Sequence, residues 1–258
     1  MSGKILLGDC LELMKGIPDG SIDMTVTSPP YDNLRTYNGT LDWGEQIWKP
    51  VIEELYRVTK DSGVVVWVVG DATVNGSETG SSFKQALYFK EIGFNLHDTM
   101  IYKKTNFAPY DPKCMRYYQE FEYMFVFSKG KPKTCNYIYE PCKHAGCSAG
   151  GYNRNPDGLL RLDRKEKGKG RKVLADKIKA NIWEYSNTKR VGHPAPFPSQ
   201  LATDHIISWS NEGDTVFDPF AGSGTTAIAC INTNRKYICM EKDETYYKVM
   251  CDRVAAHV

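Results

Sequence analysis

No stretch of this 258-residue chain is apolar over a membrane-spanning length, which takes about 20 consecutive apolar residues. The opening Met1-Ser2-Gly3-Lys4-Ile5 also lacks the apolar core of a secretory signal. No membrane partner is expected, and the chain is read as cytoplasmic. Net charge is scarce too: 33 Lys and Arg against 31 Asp and Glu leave +2, so the chain as a whole is no polycation. Cys-x-x-Cys pairs are absent. The eight cysteines lie scattered through a chain far larger than disulfide-stapled mini-proteins, and they read as reduced thiols. Cys135, Cys142, His144 and Cys147 have the donor atoms for zinc but not its spacing, so no metal is expected. There is no internal repeat.

What is present is an alternation of strand and helix patterns. Ile22-Asp23-Met24-Thr25-Val26 reads as a buried strand. Ile47, Val51, Leu55 and Val58 fall at helical spacing, and Gly63 to Val69 is a continuous apolar run typical of a strand buried on both faces. Ser82 to Ile92 suggests a further helix, and Thr99 to Lys103 a further strand. With strands near Ile5, over Val216-Phe217-Asp218 and over Tyr237-Ile238-Cys239-Met240, this predicts an α/β fold: a seven-strand mixed sheet of Rossmann type with helices on both faces.

Between about Gly130 and Val191 the pattern breaks into Gly-, Asn-, Pro- and Lys-rich sequence, which reads as an insert. From Arg161 to Lys179 nine Lys and Arg face only Asp163, Glu166 and Asp176. Such a loop suits DNA phosphates; a solvated charged loop is the plain alternative.

Two segments carry chemistry. In Thr27-Ser28-Pro29-Pro30-Tyr31-Asp32, two prolines end the strand by fixing φ and removing backbone donors. The carbonyls of Ser28 and Pro29, the Ser28 hydroxyl and the Tyr31 ring then face outward from a strand's carboxyl end, where open α/β sheets bind ligands. Acceptors beside a flat ring suit a planar heterocycle with an exocyclic amine.

The second segment, Asp218-Pro219-Phe220-Ala221-Gly222-Ser223-Gly224-Thr225-Thr226, runs from a strand through a glycine turn into a helix. That is a nucleotide-type cofactor site. Glu241 ends the next strand 23 residues after Asp218, near the roughly 20 expected of a ribose-binding acid. Gly222-x-Gly224-x-x-Ala227 alone would also pass as a dinucleotide fingerprint. The proline and aromatic beside it instead suit a cofactor with an amino acid tail and a thioether, with Asp218 expected to meet the ammonium; this points to S-adenosyl-L-methionine.

Together the two segments resemble those of the DNA amino-methyltransferases, in the permuted motif order of their β group. The resemblance covers nearly the whole chain. Gly8-Asp9-Cys10 looks like the group's opening motif, which implies that Asp9 lies near the cofactor adenine. Gly192-His193-Pro194-Ala195-Pro196-Phe197-Pro198 is similar to the segment covering the cofactor, and Phe121 to Lys129 to the strand ahead of the recognition insert.

The resemblance implies a site-specific enzyme acting on double-stranded DNA. Its cofactor site would be Asp9, His193, Pro194, Phe197, Asp218, Pro219, Phe220, Ala221, Gly222, Ser223, Gly224, Thr225 and Glu241. Its catalytic turn would be Ser28, Pro29, Pro30 and Tyr31. It also implies three parts: residues 1–129 as the catalytic part, 130–191 as the inserted target recognition region and 192–258 as the cofactor-binding part of the same domain. Asn153, Arg154, Asn155 and Arg161 are chemically suited to reading bases. Relatives with Thr-Ser-Pro-Pro-Tyr are mostly cytosine N4 enzymes, whereas adenine N6 enzymes more often place Asp or Asn at Ser28. Cytosine N4 is thus expected ahead of adenine N6. Both a monomer and a homodimer stay open.

Pro141-Cys142 matches the catalytic dipeptide of cytosine C5 enzymes but lacks the rest of that motif. An RNA or free-heterocycle methyltransferase is the more distant reading, and a binder that has lost activity would show damage in one of the two segments.

Overall fold

The computed structural model describes residues 3–30, 43–105, 113, 115–147, 172–186 and 198–257. The chain enters through β1 (Gly3–Leu7) and α1 (Cys10–Met14), then β2 (Ile22–Thr27), α2 (Glu45–Val58) and β3 (Thr59–Val69). A small hairpin of β4 (Thr73–Val74) and β5 (Ser77–Glu78) precedes α3 (Ser81–Ile92), β6 (Asn95–Lys104) and β7 (Phe121–Ser128). Next come β8 (Tyr139–Pro141), β9 (Asp176–Ile178) and β10 (Ile182–Tyr185). The chain closes with α4 (Ser199–Trp209), β11 (Thr215–Asp218), α5 (Thr225–Asn232), β12 (Lys236–Glu241) and α6 (Glu244–Ala255).

The main sheet runs β1-β12-β11-β2-β3-β7-β6-β10. It is parallel except at β7, which is antiparallel to both neighbours. Burial on both faces explains the unbroken apolar run of β3: Val65, Trp67 and Val69 join the core beneath α1, α2 and α3, and the intervening Val64, Val66 and Val68 are equally buried. On the latter side His205 of α4 meets the sulfur of Met124 in β7, while Phe125 faces the α2 side.

Among the described residues the sheet has eight strands, one more than the sequence pattern predicts. The extra one, β10, pairs with β6 in parallel, although it lies within the 130–191 segment. Only Trp183 and Tyr185 of its four residues are buried, too short an alternation to register as a strand. The Tyr185 hydroxyl donates to Asp204 of α4 at 2.6 Å. Tyr137–Ala180 forms a compact unit of its own, stitched by the β8–β9 pair and by backbone bonds from Gly146 N to Val173 O and from Val173 N to Cys147 O. Among the described residues no helix is long and apolar enough to cross a membrane.

At the amino-terminal end of β2 the buried Asp23 accepts from Lys60 at 2.8 Å, Lys133 at 2.9 Å and the Thr215 amide at 3.0 Å. Burial opposes its charge, but these donors outweigh that and hold its carboxyl below the ordinary value. An acid with a lowered folded pKa contributes stability that is present above its unfolded pKa and lost as pH falls through the folded one. Asp23→Asn should therefore cost about 1–2 kcal/mol at pH 7, discounted because both lysines are part-exposed. The cost should shrink on acidification, as read by urea denaturation at pH 7 and pH 3.5. An equal cost at both would remove the ion pairs from the account.

Candidate active site at the switch point of the sheet

From β11 the chain turns through α5 to β12 on one side, and from β2 it turns through α2 to β3 on the other. Adjacent β11 and β2 are thus the topological switch point, outside whose carboxyl ends an open sheet binds ligands. Both sequence segments arrive there. Thr27 ends β2, followed by half-buried Ser28 and buried Pro29 and Pro30. Asp218 ends β11, followed by the glycine turn.

That turn needs its glycines. Gly222 and Gly224 have φ of +51° and +81°, where side chains strain the backbone. The Gly224 amide closes the turn on Ala221 O at 2.8 Å, and the Ala221 amide anchors it to Met240 O of β12 at 2.9 Å. Thr225 is buried at the start of α5 behind it, with no side chain capping that helix among the described residues. From α6, Met250 packs on Gly224 and Arg253 donates to the Ser223 hydroxyl at 2.8 Å. Phe220 stands edge-on to Trp43 and Trp67, with ring centroids 5.5 and 6.3 Å away, and Pro219 beside it is buried.

Asp218 is fully enclosed. Its Oδ1 accepts from the Thr27 hydroxyl at 2.6 Å and the Phe220 amide at 3.1 Å, and its Oδ2 from the Thr226 hydroxyl at 2.6 Å. Burial raises its carboxyl to about 6 despite these donors. The ammonium contact expected from sequence does not match these surroundings, because both oxygens are spent on protein donors and no surface of the residue is exposed.

Glu241 ends β12 and Asp9 follows the neighbouring parallel β1, with Gly8 N bonded to Glu241 O at 2.9 Å. The Glu241 carboxylate accepts from the Gly222 and Asp243 amides, each at 2.8 Å, and burial raises its pKa. Asp9 caps α1 through the Leu11 amide at 3.0 Å and pairs with Lys242 at 3.1 Å. The structure therefore brings Asp9, Glu241, the glycine turn and Ser28-Pro29-Pro30 to one edge of the sheet.

Several expectations land elsewhere. Tyr31, His193, Pro194 and Phe197, and the base-reading candidates Asn153, Arg154, Asn155 and Arg161, lie outside the described residues. Cys142 lies in the compact unit 137–180, its amide bonded to Ala175 O at 2.7 Å. Among the described residues no group of three or more His, Cys, Asp or Glu could hold a metal.

Sequence reasoning missed Trp43, Trp67, Met250 and Arg253, which support the turn from elements distant in sequence. Thr27, inside the first segment, carried no role in that reading.

The chain matches the DNA methylase family over residues 22–252. It is 49% identical to the orphan methyltransferase M.BamHII of Bacillus amyloliquefaciens, across 95% of this chain and 93% of the relative. Against the type II methyltransferase M.SmaI of Serratia marcescens it is 26% identical, across 98% of this chain and 91% of the other. Among solved structures, a putative DNA modification methylase of Thermus thermophilus, complexed with S-adenosyl-L-methionine, matches with a TM-score of 0.66 at 25% identity, over 99% of this chain and 96% of that one. The cytosine-N4-specific PvuII DNA methyltransferase shares the fold at a TM-score of 0.73 and 20% identity, over 98% of this chain and 86% of that one.

Proposed function

The chain belongs to the DNA methylase family, and from that premise we propose that it moves the methyl group of S-adenosyl-L-methionine to the exocyclic N4 amine of a cytosine in double-stranded DNA. The observation that carries the reading is the meeting of the Ser28-Pro29-Pro30 turn with the glycine turn at one switch point, tied through Asp218.

The donor set suits the cofactor. Asp9 and Glu241 supply carboxylates at neighbouring strand ends, chemistry that fits an adenine amine and ribose hydroxyls. Gly222 and Gly224 let backbone come close to a ligand, and Phe220, held by two tryptophans, offers an apolar wall. When bound, S-adenosyl-L-methionine supplies a methyl already activated on a sulfonium. Catalysis by the chain is then mostly positioning.

The acceptor amine starts flattened, its lone pair delocalised into the ring. Hydrogen bonds accepted by the Ser28 hydroxyl and the Pro29 carbonyl favour a tetrahedral nitrogen, with the lone pair free for attack. Pro29 and Pro30 hold those acceptors at fixed φ. Since the amine cannot be reached inside a duplex, the base has to leave the stack, and Tyr31 is the ring on which it would rest. The resemblance also assigns residues 130–191 to target recognition, in keeping with the excess of Lys and Arg from 161 to 179.

The test is direct. Purified protein, mixed-sequence duplex DNA and methyl-labelled S-adenosyl-L-methionine are incubated, and the DNA is digested to nucleosides for mass spectrometry. Labelled N4-methylcytosine is the expected product. N6-methyladenine would keep the chemistry and overturn the base, while label absent from DNA would overturn the reading.

A further inference from the structure

The ladder between β2 and β11 pairs Met24 with Val216 and Thr25 with Phe217, and ends there. Beyond it the two strand ends carry different machinery: Ser28 and the prolines follow Thr27, and the glycine turn follows Asp218. The hydrogen bond from the Thr27 hydroxyl to Asp218 Oδ1, 2.6 Å long and joining residues 191 apart in the chain, bridges them where the backbone ladder has stopped. Both side chains are fully enclosed, so no water competes, and a bond to a carboxylate is among the shorter and stronger kinds. Thr226 and the Phe220 amide hold the rest of that carboxylate, but both belong to the same half of the site as Asp218. Among the described residues, Thr27 is the donor to that carboxylate from the other half.

We propose that Thr27 is a positioning residue for methyl transfer: through the buried carboxylate of Asp218 it fixes the acceptor turn relative to the donor turn. The proposal rests on the functional reading above. A threonine suits both demands, since β-branching favours the strand end and the hydroxyl provides the link. Valine keeps the shape and loses the donor, whereas serine keeps the donor. Misplacing reacting groups by about 1 Å costs about 100-fold in rate, so losing the bridge should show in the chemical step more than in binding.

The experiment compares wild type, Thr27→Val, Thr27→Ser and Thr226→Val. Thr226→Val removes a donor from the same carboxylate without cutting the bridge. For Thr27→Val, single-turnover methyl transfer should fall about 10- to 100-fold, with the dissociation constant of S-adenosyl-L-methionine within about twofold. Thr27→Ser should transfer within about threefold of wild type, and Thr226→Val should lose less than Thr27→Val. Wild-type transfer by Thr27→Val, or an equal loss in Thr226→Val, would overturn the proposal by reducing Thr27 to general stability.

A second readout needs no DNA. S-adenosyl-L-methionine should slow amide exchange across residues 22–28 in wild type and Thr27→Ser but not in Thr27→Val. Protection in all three would overturn the bridge. If wild-type protein methylates no DNA, the functional reading fails, and the exchange data still decide on Thr27.

Discussion

Asp218→Ala is expected to lower the unfolding free energy by about 2–4 kcal/mol, because it leaves the Thr27 hydroxyl, the Phe220 amide and the Thr226 hydroxyl without an acceptor in a dry interior. Each unpaired buried donor costs about 1–3 kcal/mol, but the hydroxyls can turn and the losses do not add. In a chain of this size that is a fall of about 5–15 °C in Tm. Asp218→Asn keeps the shape and should cost less.

The sign of the pH effect sets Asp218 apart from Asp23. Its carboxyl sits at about 6, against an ordinary 3.8, because burial disfavours the charge. Between those two values the folded state holds a proton that the unfolded state has released. This group's contribution to stability therefore falls as pH rises from 3.8 to about 6, and is flat above that. Asp218→Asn has no such proton, so the difference between variant and wild type should shift in the variant's favour from pH 4.5 to pH 7. Urea titrations at pH 4.5, 5.5 and 7 read it directly. A difference independent of pH would show that the carboxyl is not held neutral by burial.

Local pattern made much of this architecture legible. Val64 to Val69 predicts a buried strand from its own residues, and Ile47, Val51, Leu55 and Val58 predict α2 from their spacing. The local shape of the two candidate segments was legible because their constraints are local: consecutive prolines end β2, and two glycines at positive φ shape the turn after β11. What escaped is set by contacts between distant residues. An acid at a strand end beside a glycine turn has the same local sequence whether it faces a ligand or a buried threonine 191 residues away. Likewise α4 escaped because its buried face includes His205 and Asp204, polar residues that meet Met124 and Tyr185 from distant strands. The strand β10 escaped because two buried aromatics in four residues carry no period.

Gly224→Ala should impair the donor turn in a way that separates two causes. Its φ of +81° would place an alanine in the left-handed region, at a cost of about 1–2 kcal/mol. The new Cβ would also lie 2.7 Å from Met250 Cγ. Met250 is fully enclosed, so it cannot swing into solvent, and either α6 or the turn must shift. If the turn yields by about 2 kcal/mol of distortion, affinity for S-adenosyl-L-methionine drops about 30-fold. Gly20→Ala is the control for conformation alone: its φ is +56°, nothing lies within 4 Å of its Cβ, and it sits far from the site in the turn before β2. That variant should lose about 1 kcal/mol of stability and no cofactor affinity. Adding Met250→Ala to Gly224→Ala should restore part of the affinity by making room for the methyl, leaving the strain in φ. Titration calorimetry on wild type, Gly224→Ala, Met250→Ala and the double variant reads the coupling. Wild-type affinity in Gly224→Ala would mean that the glycine turn is not where the cofactor binds.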